Sequence, residues 1–259
     1  MGLHWRIVTT FASLLRQQLH DPGRPLVTYY NESPDEGAGE RIELSVATYA
    51  NWVAKDSSLL VDEHGLERGQ RLRIDLPPHW LSLVFLGAAW NAGLIVTDAE
   101  NPDAVVCGPD SLATWAESAG SRPTLACSLL PLGVRFTDPL PLDVHDVGIE
   151  VWGQPDGWAP WDPPVGGDTA TEWQGEETTQ EELWAAAAGA SLSSGDRLLS
   201  ETDPASPPGT ASFSEPLANG GSLVLVAHAT PDRLEAIAVA ERVTGSRWDQ
   251  HSPRGDAQD

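Results

Sequence analysis

The sequence predicts an α/β fold in three layers, with mainly parallel strands covered by helices. Short apolar runs alternate with longer stretches whose apolar residues recur at helical spacing, the pattern of strand–helix–strand units. Gly93 and Gly221 each precede an apolar run, where a helix ends and hands the chain to a strand. The strands expected to lie parallel include 71–76, 94–97, 104–107 and 223–226.

The elements follow in order. Ile7, Phe11, Leu14, Leu15 and Leu19 share one face of a helix over Trp5 to Leu19, stopped by Asp21-Pro22-Gly23. Leu26 to Tyr30 and Arg41 to Leu44 form a hairpin around the polar turn Asn31 to Gly39. Ser45 caps a helix whose Val46, Tyr49, Ala50, Val53 and Leu60 share one face, and Gly65 and Gly69 end it. The strand Arg71 to Leu76 leads through Pro77-Pro78 into a helix from Trp80 to Asn91. Strands at Leu94 to Thr97, Ala104 to Cys107 and Thr124 to Cys127 follow, with a helix from Pro109 to about Ser118 between the last two.

Residues 153–168 are rich in Gly, Pro and Trp and read as a connecting loop between a first α/β lobe, 1–152, and a smaller second one, 169–245. Thr169 to Gln174 is the next strand, and Thr179 with Glu182 makes a capping box for a helix through Ala190. Gly195-Asp196-Arg197-Leu198 repeats Gly69-Gln70-Arg71-Leu72, Gly221 repeats Gly93, and Pro231-Asp232 repeats Pro102-Asp103, all 126 to 129 residues on. The near-constant offset suggests two similarly wound halves. The polar tail, 246–259, is expected to fray, from just after Thr244.

With 41% hydrophobic residues and 11 Trp among 259 residues, the composition is that of a folded protein. The net charge is −23, of which −18 falls after residue 100, so nucleic acid and anionic membrane are poor partners. Met1 to His20 has no unbroken apolar run and is no secretory signal, and no stretch approaches a membrane span. The expected location is the cytoplasm, where Cys107 and Cys127 read as reduced thiols.

The stretch Ile42 to Val106 resembles the opening of the acyl-adenylate-forming (AMP-binding) enzymes. The residues that carry the likeness are Leu44-Ser45, Gly69-Gln70-Arg71-Leu72, Leu76-Pro77-Pro78-His79-Trp80 and Asn91-Ala92-Gly93-Leu94-Ile95-Val96. With Asn51-Trp52-Val53-Ala54-Lys55, the chain looks like an uncharacterised actinobacterial family related to those enzymes. The likeness covers residues 20–130 well and 169–245 loosely, and implies a truncated version of their N-terminal domain. The matched residues build the fold and are not catalytic in the family.

The resemblance also shows what is missing. The family holds the polyphosphate of ATP with a Ser/Thr/Gly-rich loop ending in Pro-Lys-Gly, at about residues 164–179 here. That segment has no lysine, and from Phe136 to Asp196 there is no Lys or Arg against 13 carboxylates. Phosphate chemistry needs cations and N–H groups aimed at the developing charge. The aromatic-Gly-x-Thr-Glu segment and the lid lysine of the family are absent too. No catalytic, cofactor-binding or metal residue is therefore assigned and no cofactor is expected. The expected role is a binding or interaction module, with another protein as partner and the small-molecule ligand unspecified. One part of a split ligase completed by a partner chain, or a nucleotide or acyl sensor, are the alternatives.

Other constellations are weaker. Cys107, Cys127 and His145 have no metal-site spacing and read as structural, while His79 and His228 read as surface residues. Trp152, Trp158, Trp161 and Trp173 are expected to pack a loop onto the sheet rather than form a ligand shelf or a protein contact. Gly209-Thr210-Ala211-Ser212 precedes a short helix and reads as an ordinary cap rather than a phosphate site.

Overall fold

The computed structural model describes residues 10–33, 39–206 and 209–247. The first half contains α1 (Phe11–Gln18), the hairpin β1 (Pro25–Asn31) and β2 (Glu40–Ser45), α2 (Val46–Ser58), β3 (Arg71–Asp75), α3 (Trp80–Ala92), β4 (Ile95–Thr97) and β5 (Ala104–Cys107). Next come α4 (Pro109–Ala116), β6 (Thr124–Ala126), β7 (Val144–Asp146) and α5 (Val147–Glu150). The second half contains the hairpin β8 (Thr169–Trp173) and β9 (Glu176–Thr179), α6 (Gln180–Ala188), β10 (Arg197–Ser200), α7 (Gly209–Ala218), β11 (Ser222–Ala227), α8 (Pro231–Ala240) and β12 (Gly245–Arg247). Residues 5–9 of the expected first helix and 34–38 of the expected hairpin turn lie outside the described residues. The chain beyond Thr244, expected to fray, continues the sheet as far as Arg247, pairing with Leu198–Ser200. Residues 248–259 are outside the description.

The strands form two sheets, ordered β7-β6-β5-β3-β4-β8-β9 and β12-β10-β11-β1-β2. All pairings are parallel except within the two hairpins, so the four strands expected to be parallel are so. Alternation along the strands shows where the layers lie. In β11, Leu223 and Leu225 join the large central core, while Val224 and Val226 face a second cluster with Leu234 and Ile237 of α8. In β5, Ala104 and Val106 face the central core, while Val105 and Cys107 meet Leu112 and Trp115 of α4 on the other side. Each sheet is thus the middle of a three-layer unit, and the two units share the inner helices.

The second half repeats the first at the level of single hydrogen bonds. Gly69 N–H donates to Gly93 O at 2.9 Å, as Gly195 N–H does to Gly220 O at 3.3 Å. Gly69 and Gly195 hold φ of 86° and 87°, a left-handed conformation that costs glycine nothing. Arg71 and Arg197 then open equivalent strands. The proposed correspondence between Pro102-Asp103 and Pro231-Asp232 does not hold. Asp103 N–H bonds Arg71 O, and its counterpart on Arg197 O is Thr244 N–H, because α8 is inserted in the second half only. Matching also extends to Gly220 in place of Gly221 as the partner of Gly93, with φ of 70° and 75°.

The hairpins are exchanged between the units. β1–β2, from the first half, completes the sheet of β10, β11 and β12, and β8–β9, from the second, lies beside β4. Both sheets therefore draw on both stretches of the chain, with the 153–168 loop between them.

Helix α3 lies at the centre. Every residue except Asn91 is buried, which explains a helix apolar on all sides. Its small residues let α2 approach: a Cβ placed on Gly87 would stand 2.8 Å from Val53 Cγ2 and 2.9 Å from Phe11 Cζ. Ala88 is 0% exposed on the same helix. Ala88→Leu is expected to overpack this layer and cost about 1–3 kcal/mol. Urea denaturation checks it, and an unchanged midpoint would place this side of α3 outside the packed core.

Candidate functional site

At residues 164–179, where the resemblance puts a phosphate loop, the chain makes an anchored turn and then a tight hairpin. Asp168 accepts from Val165 N–H at 2.8 Å and so closes the turn that precedes β8. The hairpin link between β8 and β9 is two residues long, Gln174 and Gly175, with φ of 51° and 82°. Two successive positive φ values mark the turn that matches strand twist, and it leaves no open loop to wrap a phosphate. The signal for β9 was legible in Gln174-Gly175, although the sequence reading stopped the strand there.

Two cations do reach this region, from residues about 100 positions away. Arg68 places Nε 2.8 Å and Nη2 2.7 Å from the two carboxylate oxygens of Asp168, and Nη1 2.9 Å from Asp162. Arg71 pairs with Glu172 at 2.8 Å. The segment has no Lys or Arg of its own, and the fold supplies two cations from elsewhere in the chain. Both guanidinium groups, however, are engaged by carboxylates, and the Asp168 and Glu172 bonds raise their pKa values. Arg197 does not approach. It bonds Thr28, Ser222 and Glu241 on the other sheet. Burial works against charge on Glu241, but donors from Arg41, Tyr30 and Arg197 outweigh it and hold its pKa at about 2.

The carboxyl ends of parallel strands are the usual ligand side of such sheets. Among the described residues, two of these strand ends carry acids. Asp75, at the end of β3, accepts from Trp115 Nε1 at 2.6 Å. Asp203, beyond β10, is pushed up to about 6 by burial, with the Asp75 charge adding to the effect. His79 is not at the surface as expected. It is 2% exposed, caps α3 by accepting from Leu81 N–H at 3.2 Å, and meets the Tyr29 ring edge-on at 4.8 Å. Burial lowers it to about 3, so it stays neutral. His228 is exposed, as expected.

The remaining candidates separate. Cys107 and Cys127 are free and buried, and burial pushes the Cys107 thiol up to about 12 and the Cys127 thiol in the same direction. Such thiols are poor nucleophiles and poor ligands. His145 meets neither of them and instead joins His64 and Glu150, residues the sequence reading did not single out. Nothing local marks that meeting, since His64 lies 86 residues from Glu150. Trp158 and Trp173 pack on the core, and Trp158 Nε1 donates to Asp62 at 2.7 Å. Trp152 packs edge-on against Trp52, whereas Trp161 is 100% exposed. Thr210 and Ser212 at the start of α7 donate their hydroxyls to Pro204 O and Gly209 O.

Comparison with known proteins places this architecture. The chain superposes on acyl-CoA synthetase from Brucella canis with a TM-score of 0.77 at 18% identity, covering 92% of this chain and 46% of the enzyme. Acetoacetyl-CoA synthetase from Streptomyces lividans gives 0.74 at 16% identity, over 92% and 42%. The N-terminal domain of FACL13 from Mycobacterium tuberculosis gives 0.68 at 16% identity, over 91% and 62%. The fold is therefore that of the N-terminal part of adenylate-forming enzymes, and the chain spans about half the length of the synthetases it matches. A "TIGR03089 family protein" of Mycobacterium tuberculosis is 34% identical over 241 residues, covering 86% of this chain and 91% of that protein. The chain belongs to that family. No family model matches it. Among the described residues no helix is long and apolar enough to cross a membrane.

Proposed function

We propose that this chain is a non-catalytic relative of the adenylate-forming enzymes that acts by binding, with another protein as its partner. The observation that carries the reading is the replacement of a phosphate loop by a two-residue turn whose neighbouring arginines are already paired with Asp162, Asp168 and Glu172. Polyphosphate bound there would have to displace carboxylates from both arginines and face the acids that remain. A protein partner is supported by exposed apolar side chains along one stretch: Leu132 (70%), Leu142 (86%), Ile149 (55%), Trp152 (58%) and Trp161 (100%).

The expected result is that the purified chain neither binds Mg-ATP nor exchanges pyrophosphate with a carboxylic acid. Repulsion of about 3 kcal/mol alone lowers affinity roughly 150-fold. Calorimetric titration and an exchange assay over fatty, aromatic and amino acids check it. A dissociation constant below about 10 μM, or exchange that survives further purification, would overturn the non-catalytic reading. The second reading, one part of a split ligase, is favoured by the 46% coverage of the Brucella enzyme and predicts ATP-dependent turnover on adding a partner chain.

A further inference from the structure

His64, His145 and Glu150 come from three separate elements. His64 follows the widened helical turn Leu59–Glu63 at the end of α2, His145 lies in the edge strand β7, and Glu150 ends α5. The Glu150 carboxylate spans both rings, with Oε2 2.8 Å from His64 Nε2 and Oε1 2.9 Å from His145 Nδ1. The rings meet edge to face with centroids 4.4 Å apart, and the three ligating groups lie within 4.8 Å of one another. Two imidazoles and one carboxylate form a donor set suited to a borderline divalent ion. A tetrahedral ion with bonds of ~2.0–2.1 Å spaces its ligands about 3.3 Å apart. To admit one, the contacts of 2.8 and 2.9 Å open by roughly half an ångström, and donors as far apart as 4.8 Å close by about 1.5 Å.

We propose that His64, His145 and Glu150 form a divalent metal site of the zinc-binding type. The site is closed on one side and open on the other. The His64 side chain is 6% exposed, whereas His145 and Glu150, at 40% and 27%, line a cavity of about 870 Å³. The cavity supplies a route for the ion and leaves a fourth position for water or a donor from a partner. Asp138 and Asp146 line the same cavity against Arg135, so the local charge favours a cation. The ligating nitrogens must be deprotonated, so binding releases protons and weakens as the pH falls. A bound ion also ties the end of α2 to β7 and α5, which stabilises the folded chain by mass action.

The test is calorimetric titration of the chelator-treated full chain with zinc chloride at pH 7.5. The expected result is one ion per chain with a dissociation constant of about 1 μM or tighter. Glu150→Gln and His145→Ala are each expected to weaken binding at least 30-fold, a loss at least on the scale seen when a metal site loses a supporting group. The half-exposed His145 keeps the test readable if His64→Ala, with its buried ring, fails to fold. Cobalt(II) in place of zinc should give the visible absorption of a low-coordinate site, lost in the same variants. Stoichiometry well below one, or affinity unchanged in both Glu150→Gln and His145→Ala, would overturn the proposal.

Discussion

Trp90→Ala is expected to destabilise the protein by about 4 kcal/mol, at the upper end of what single core truncations cost. Trp90 is 0% exposed in the central helix α3. Its ring meets Trp184 at 5.4 Å and 87° and Phe11 at 6.0 Å and 51°, so truncation opens a cavity bounded by rings on α6 and α1. Its Nε1–H also donates to Ala170 O at 3.1 Å, a buried bond that the variant removes. Neighbouring backbone is committed as well: Gln180, 0% exposed, donates to Trp90 O at 2.9 Å and accepts from Phe11 N–H at 2.8 Å. Relaxation of α3 into the space therefore strains a three-helix junction. In urea the midpoint should fall with little change in slope, and melting should drop by roughly 10 °C. Trp161→Ala, at the fully exposed tryptophan, is the control and should stay within about 0.5 kcal/mol. Similar small losses in both would remove the aromatic junction from the core.

A second large effect is expected in the dependence of stability on pH, with opposite signs at two buried groups. His79 falls from 6.5 in the open chain to about 3 in the fold, through burial. Below pH 6.5 the unfolded chain takes up a proton that the folded chain refuses. Its contribution is complete above pH 6.5 and is lost as the pH falls toward 3, at about 1.4 kcal/mol per pH unit. Asp56 behaves in reverse. It is 0% exposed, neither carboxylate oxygen has a hydrogen-bond partner, and burial raises it well above 3.8 against a smaller opposing effect of Lys55. Its contribution is complete below pH 3.8 and is lost as the pH rises, because the unfolded carboxyl ionises first.

The two limbs are read separately with isosteric changes. His79→Asn keeps a capping acceptor for α3 and should gain on the native protein as the pH drops below 6.5. Asp56→Asn should gain on it as the pH rises above about 4, again by about 1.4 kcal/mol per unit. Asp203, raised to about 6, opposes His79 between pH 3.8 and 6, so the difference between variant and native is the informative quantity. Urea midpoints from pH 4 to 8 supply it. Curves parallel to the native one at either variant would show that the group is solvated.

Much of the backbone was legible because its causes are local. The capping box of α6 needs only Thr179 and Glu182, three residues apart, and both reciprocal bonds are present. The turns at Gly69 and Gly195 need a left-handed residue in each place, so their repetition showed in the sequence. The lack of lysine between Phe136 and Asp196 was likewise open to inspection. The reading failed where one residue's environment is made by distant segments. His79 stands in a Pro-rich helix start that looks exposed, yet Tyr29 of the other sheet covers it. Asp56 sits one residue after Lys55 on a helix with a polar side, and nothing in that spacing announces complete burial.

The sequence by itself determined the alternation of strands and helices, the parallel run of β3, β4, β5 and β11, and the acidity of the segment where the resemblance puts a phosphate loop. Periodicity specifies which face of an element is apolar, and capping and glycine turns specify where it stops. Only the tertiary structure decided which surface each face meets. The hairpin β1–β2 offers the same row of N–H and C=O groups to any strand edge, and it pairs with β11 rather than with its own half because Val27 and Tyr29 are buried there beside Leu223 and Leu225. That exchange, together with the packing of both sheets on α3, sets Arg68 against Asp168 and His64 against Glu150. Pairings across some 90 to 100 residues are chosen by the geometry of the whole core, because the free energy of each contact exists only after the surrounding chain has closed.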